Sequence, residues 1–489
     1  MTHQENALKP LKRKYIILTA AVAAVIGAGY SASSWYFGQQ IEAVLGQIDA
    51  EIAALPYLKL IRHDYERGVF GANETITIEI PAALIGMPRV PEPALESASP
   101  PLRVTLKSAI QHGPIPGFSA FALGSATTVI EFDEASQPKV LEAFGGKPAA
   151  EIRTQYDFGG GGVATLTSPA FKFAGLSKAQ GIPVTLSGDG LEMTVTFARR
   201  MAQYSMQGSA PRFELTGANG MRLAATDLRF EGQQQRLFPD EPLLYVGSQR
   251  FSLAGLEIDP GQDDGPMKGE KIALKDIQYD IQTPASGEFV DLTARIGAAG
   301  LLIGAQDYGP AAYDFSLKHA HARTLAALNR DFMELSAKPE LLQEGQWLRA
   351  FAPIMDKSGA LLRDGLVVSI DRIAFRMPEG EAKLNASIQL VDTRAEDFAS
   401  PWMLIGKIDA TAELALPTSL ITMLAGSHSG NAQKRKQNAE QTIAGLVEQG
   451  FATIDNGIFK SRITFKEGQL QVNDKPFNPL AMALQPSRE

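Results

Sequence analysis

The stretch Thr75-Ile76-Thr77-Ile78-Glu79-Ile80 sets an isoleucine at every second position, with threonine or glutamate between. Successive side chains of a strand point to opposite faces, so the segment reads as a strand with one apolar and one polar face. The same period recurs at Leu102, Val104 and Leu106, at Leu191, Met193, Val195 and Phe197, and at Ile277, Tyr279 and Ile281. It returns at Leu366, Val368 and Ile370, at Leu384, Ala386, Ile388 and Leu390, and at Leu414 and Leu416. Asp189-Gly190, Asn219-Gly220, Pro378-Glu379-Gly380, Glu467-Gly468 and Asn473-Asp474 punctuate these runs with hairpin chemistry. The expected fold is mainly β with helical insertions, an α+β protein of long antiparallel meander sheets.

A chain of 489 residues is too long for one ordinary core, so two or three domains are expected. The acidic, glycine-rich stretch Pro260–Glu270 is the candidate boundary, giving a first β-rich half at 58–262 and a second at 271–489. Helical spacing marks Ala322–Ala337, through Leu325, Leu328, Phe332 and Leu335, and then Pro339–Asp356. Pro417–Ala425 and Lys434–Gln449 form a second helical pair, split by the polar tract Gly426–Asn431.

The N-terminus obeys different rules. Lys9, Lys12, Arg13 and Lys14 precede Tyr15–Phe37, which carries no charge over 23 residues. At ~1.5 Å per residue such a helix can cross a ~30 Å hydrocarbon core, with its basic flank on the cytoplasmic side. The expected order is a basic tail at 1–14, a transmembrane helix at 15–37 and an amphipathic helix at 38–57. Ser31-Ala32-Ser33 is a poor signal-cleavage site, and Trp35, Tyr36 and Phe37 form an aromatic cluster at the outer end, so a retained anchor is expected. Ile41, Val44, Leu45, Ile48 and Ile52 make a stripe that either packs on its own domain or joins copies into a homo-oligomer.

Residues 1–14 hold four basic groups and one acid, a net of +3, so the body carries −11 of the total −8. An acidic body argues against nucleic acid as a partner, because phosphate binding needs basic patches. With no cysteine there is no disulfide, thiolate metal site or cysteine nucleophile.

The remaining chemistry reads as structural. His319 and His321 share a strand face but lack an evident third metal ligand. Ser427-His428-Ser429 is adjacent in sequence, which is the wrong geometry for a triad. Gly159–Gly162 lacks the following Lys-Ser/Thr of a phosphate loop and reads as a wide turn. Lys434-Arg435-Lys436 reads as a solvated helix face. Neither cofactor, metal nor enzymatic activity is expected.

Four motifs stand in a fixed order. They are Ser34-Trp35-Tyr36-Phe37-Gly38-Gln39-Gln40-Ile41-Glu42, Tyr65-Glu66-Arg67-Gly68-Val69-Phe70, His112-Gly113-Pro114-Ile115-Pro116, and Gly468-Gln469-Leu470-Gln471-Val472-Asn473-Asp474-Lys475-Pro476. Together they resemble the YdgA/YihF-like family of bacterial proteins, a domain of unknown function. Asn473-Asp474 departs from the Asn-Gly usual at that turn. The resemblance implies a protein of the Gram-negative inner membrane with a periplasmic body, and it brings no catalytic residues. Beside it, the long half-apolar sheets imply a binding or scaffold role in the envelope, with lipid or a partner segment held in an apolar groove.

Overall fold

The structure, a computed structural model, describes residues 8–53, 55, 58–80, 101–176, 183–242, 244–261, 270–336, 354, 357–426 and 432–477. Within the helices, side chains are described from Val22 onward, apart from Ala23 and a few others. Among these residues the chain is dominated by antiparallel strands, as the alternation requires. It divides into two compact units.

The first unit comprises residues 1–169 and 191–205. It opens with one 46-residue helix, α1 (Leu8–Ala53), so the expected membrane and amphipathic helices are a single element. Among the described residues no helix is long and apolar enough to cross a membrane. Seven strands follow as a meander, each antiparallel to the last: β1 (Lys59–Arg67), β2 (Gly71–Ile80), β3 (Leu102–His112), β4 (Gly124–Phe132), β5 (Glu151–Tyr156), β6 (Gly162–Ser168) and Leu191–Phe197. Ala72 and Ile76 of β2, Ile110 of β3 and Ala126 of β4 turn inward with period two and are buried. Ile41 and Leu45 of α1 pack into them, with Phe37 and Val44 alongside. The residues beneath the helix are small (Ala72, Gly124, Ala126), which lets its backbone approach the sheet.

The second unit comprises residues 170–190 and 206–489. Its strands include Arg222–Arg236, Tyr245–Asp259, Ile272–Thr283, Phe289–Ile303, Ala311–His321, Val367–Met377, Gly380–Leu390, Ile408–Pro417 and Ile458–Lys466, each paired antiparallel to the next. The turns follow the sequence signals: Gly220, Gly380, Glu467, Gly468, Asn473 and Asp474 all take positive φ. The helices include Ala322–Ser336, Pro401–Ile405, Thr418–Gly426 and Ala432–Glu448. Most of the expected helix Pro339–Asp356, the tract 427–431 and Ser427-His428-Ser429 lie outside the described residues.

The chain crosses between the units near 169, 190 and 205. The expected boundary is largely outside the described residues at 262–269, and the strands on either side of it, Tyr245–Asp259 and Ile272–Thr283, pair directly. That pairing keeps 245–303 in one unit, so the division does not follow the halves read from composition.

Candidate functional site

Three of the four sequence motifs converge where α1 meets the strands of the first unit. The hairpin turn between β1 and β2 brings Arg67 to Glu42 at 2.6 Å, with its guanidinium 6.0 Å from the Trp35 ring centre. The turn after β3 is compact: the Gly113 N–H donates to Leu123 O at 2.7 Å and the Ala122 N–H to Pro114 O at 3.0 Å. Tyr30 of α1 donates its hydroxyl to Ile115 O at 3.0 Å and stacks between Phe70 and Phe118, with centroids 6.1 and 5.7 Å away. Gly38 lies on His112, so close that a Cβ there would sit 2.6 Å from the imidazole. Missing side chains at Gly38 and Gly124 are thus what lets the helix settle.

His112 is buried, 1% exposed, with Nδ1 3.1 Å from Val69 O. Nδ1 therefore carries the proton, and Nε2 is buried without a partner, as are Ser34 Oγ and Tyr65 Oη. Burial pushes the His112 pKa below 6.5, outweighing the Val69 carbonyl that favours the charged form. The Tyr65 hydroxyl is pushed up to about 12 by burial, then by Glu42 and Glu74. Glu74 is itself buried, 3.2 Å from His63 Nε2. A neutral imidazole, a neutral phenol and an unpaired serine hydroxyl form no nucleophile–base pair, and the arrangement acts as a seat for the helix.

The depressed His112 pKa has a signed consequence. Below pH 6.5 the unfolded chain takes up a proton that the folded imidazole refuses, so this contribution to stability is complete above pH 6.5 and declines as pH falls. Thermal unfolding of the full chain between pH 7.5 and 5 will show a shallower acid decline in His112→Gln than in the parent; an equal decline would refute the assignment.

The other sequence candidates are placed as follows. Lys9, Lys12, Arg13 and Lys14 belong to α1, but their side chains lie outside the described residues, as do those of Ile48 and Ile52. Ile41 and Leu45 pack on their own sheet with Val44 alongside, so the part of the stripe whose side chains are described is turned toward its own unit. His319 stacks on Phe289 at 3.8 Å, while His321 Nδ1 meets Thr324 Oγ1 at 2.8 Å as a helix begins. Among the described residues no cluster suited to a metal ion occurs. Gly159–Gly161 is a turn held by Asp157 Oδ1, which accepts from the Gly159 and Gly161 N–H groups.

In the second unit the register aligns a row of large apolar residues: Phe230, Phe251, Tyr279, Ile296, Tyr313, Ile373, Leu384 and Leu414. A parallel row runs Leu292, Leu317, Val368, Ile388, Ala410, Phe465 and Leu470. The alternate positions carry ion pairs such as Arg250–Asp280 at 2.6 Å and Arg372–Asp314 at 3.0 Å. Helix Ala322–Ser336 covers Leu317 and Val368, and helix Thr418–Gly426 covers Phe375 and Leu416. Between these covers Ile296 and Tyr313 are each 42% exposed, and Ile388 is 46% exposed. A cleft of about 740 Å³ is lined by Arg372, Lys383, Glu413 and Arg462, but all of these are ion-paired.

The described residues thus present a long helix seated on an antiparallel meander and, in the second unit, an apolar sheet face exposed at Ile296, Tyr313 and Ile388. The chain belongs to a family of bacterial proteins of unknown function, DUF945, whose model matches residues 13–479. No curated protein and no solved structure matches it significantly.

Proposed function

We propose that this is a single-pass protein of the bacterial inner membrane with a periplasmic body that holds lipid acyl chains on the apolar face of its second unit. It is a binding or scaffold protein rather than an enzyme. The observation that carries this reading is the pair of apolar rows crossing seven or eight strands, bounded by helices and open at Ile296, Tyr313 and Ile388. A sheet in water ordinarily covers such a face, and an exposed contiguous patch marks a binding surface. The anchor rests on the uncharged run Tyr15–Phe37 behind its basic flank, which lies within the continuous helix α1. The likeness to the YdgA/YihF-like proteins supports the same placement.

Native mass spectra of the full chain purified from bacterial envelopes test the lipid reading. Phospholipid-mass adducts are expected on the parent and are expected to disappear in Tyr313→Asp with Ile388→Asp. Both sites are more than 40% exposed, so these changes leave the fold in place. A bare parent, or adducts indifferent to the two carboxylates, would overturn it. A co-purifying polypeptide lost in the variant would replace lipid with an extended partner segment as the occupant.

A further inference from the structure

The first unit exposes aromatic side chains where water-facing residues would ordinarily be polar. Phe118 is 81% exposed, Phe121 75%, Phe70 55% and Phe158 46%. They stand on three separate loops, at 69–70, 115–121 and 158, and they are not scattered. Phe70 and Phe118 stack on Tyr30. Phe121 meets Phe158 at 5.0 Å, and Phe158 meets Phe37 at 5.3 Å. Trp35 and Tyr36, half exposed, stand on the same stretch of the helix. Three loops thus collar α1 between Tyr30 and Phe37.

The level of this collar follows from helix geometry. Tyr15 to Tyr30 is 15 helical steps, a rise of about 22 Å. A hydrocarbon core is ~30 Å thick and the whole bilayer ~40–45 Å. If the crossing begins at Tyr15, Tyr30 has not yet left the membrane, and loops stacked on Tyr30 sit at the same depth. Aromatic rings are the side chains best suited to that boundary, where an apolar body meets hydrated headgroups.

We propose that the collar of Phe70, Phe118, Phe121 and Phe158 is embedded in the outer interface of the bilayer, so that the first unit docks directly on the lipid surface. This rests on the membrane-anchor reading above and specifies the surface that follows from it. The occupant is lipid because the collar is continuous with the uncharged helix it packs against. Docked this way, the unit has no free linker between bilayer and sheet, and its tilt is set by three loops as well as by the helix.

The absence of cysteine makes a site-directed test clean. Single cysteines at Phe118→Cys, Phe121→Cys, Val25→Cys and Glu134→Cys carry nitroxide labels on the full chain in phosphatidylethanolamine–phosphatidylglycerol nanodiscs. Collision rates with oxygen and with a water-soluble nickel chelate give depth. Glu134 lies beyond the far end of β4 and reports water. The expected result is a deep label at position 25, interfacial labels at 118 and 121, and an aqueous label at 134. A deep label at 25 with aqueous labels at 118 and 121 overturns the collar and leaves the anchor standing. An aqueous label at 25 overturns both. Labels at 118 and 121 shielded from both reagents would assign the collar to a protein partner and overturn the lipid surface. The phenylalanines replaced are the most exposed of the collar, and agreement between two independent sites guards against a local distortion.

Discussion

Ile41→Ala lowers the stability of the first unit by about 2–5 kcal/mol, the range for truncating a buried isoleucine to alanine. Ile41 is 0% exposed and lies at the centre of the cluster formed with Leu45, Ala72, Ile110, Leu123, Ala126 and Tyr156. Its Cδ1 fills the space where a Gly124 side chain would otherwise stand, so its removal opens a void beside backbone that cannot easily collapse. Ile41→Asp costs more, because a carboxylate would have to enter an apolar seat without a partner. Val25→Ala, on an exposed part of the same helix, is expected to shift stability by less than about 0.5 kcal/mol. Hydrogen exchange read across 59–80 and 102–132, together with thermal unfolding, separates these variants. The same experiment bears on the helix stripe. A large loss of stability with an unchanged protomer number matches a residue spent within its own unit. An unchanged unfolding temperature with a changed protomer number would return Ile41 to an intersubunit surface.

Much of the architecture was legible because alternation is a local signal. Ile76, Leu106 and Ile277 declare their strands within a few residues, and Asn219-Gly220 and Glu467-Gly468 declare the turns that join them. The helix stripe was equally plain at Ile41 and Leu45, since spacings of three and four need no tertiary information. Which surface covered it was not legible, because the partners Ala72, Ile110 and Ala126 come from three strands spread over more than fifty residues. The same limit hid the unit boundary: composition marks a turn-rich stretch, whereas a unit is a set of long-range pairings. Glu74 was visible in principle, since it keeps phase with Ile76 and Ile78 and so was bound for the inner face. The aromatic collar was not, because Phe70, Phe118, Phe121 and Phe158 have no common spacing and come together only when three turns gather against one helix.

The motifs behind the family likeness acquire a physical meaning at the seat, and Gly38→Ala tests it. Considered as a helix substitution alone, glycine to alanine gains about 1 kcal/mol. At Gly38 the new Cβ would stand 2.6 Å from Cε1 and Nδ1 of His112. The imidazole cannot swing aside freely, since it is buried and Nδ1–H is committed to Val69 O at 3.1 Å. Overpacking of this kind typically costs about 1–3 kcal/mol, and a ring held on both sides lies toward the upper end. The clash therefore outweighs the propensity, and the net expectation is a loss of about 1–2 kcal/mol in thermal or chemical unfolding of the full chain. His112→Ala should remove the obstruction. Combined with it, Gly38→Ala should recover its helical gain, giving a coupling of at least about 1 kcal/mol in the double-mutant cycle. Stabilisation by Gly38→Ala in the parent background, or a cycle with no coupling, would show that helix and turn are not in register as described. Read this way, the glycine of the first motif and the histidine of the third are two halves of one contact. The arginine of the second, paired with Glu42, ties the intervening hairpin to the same helix.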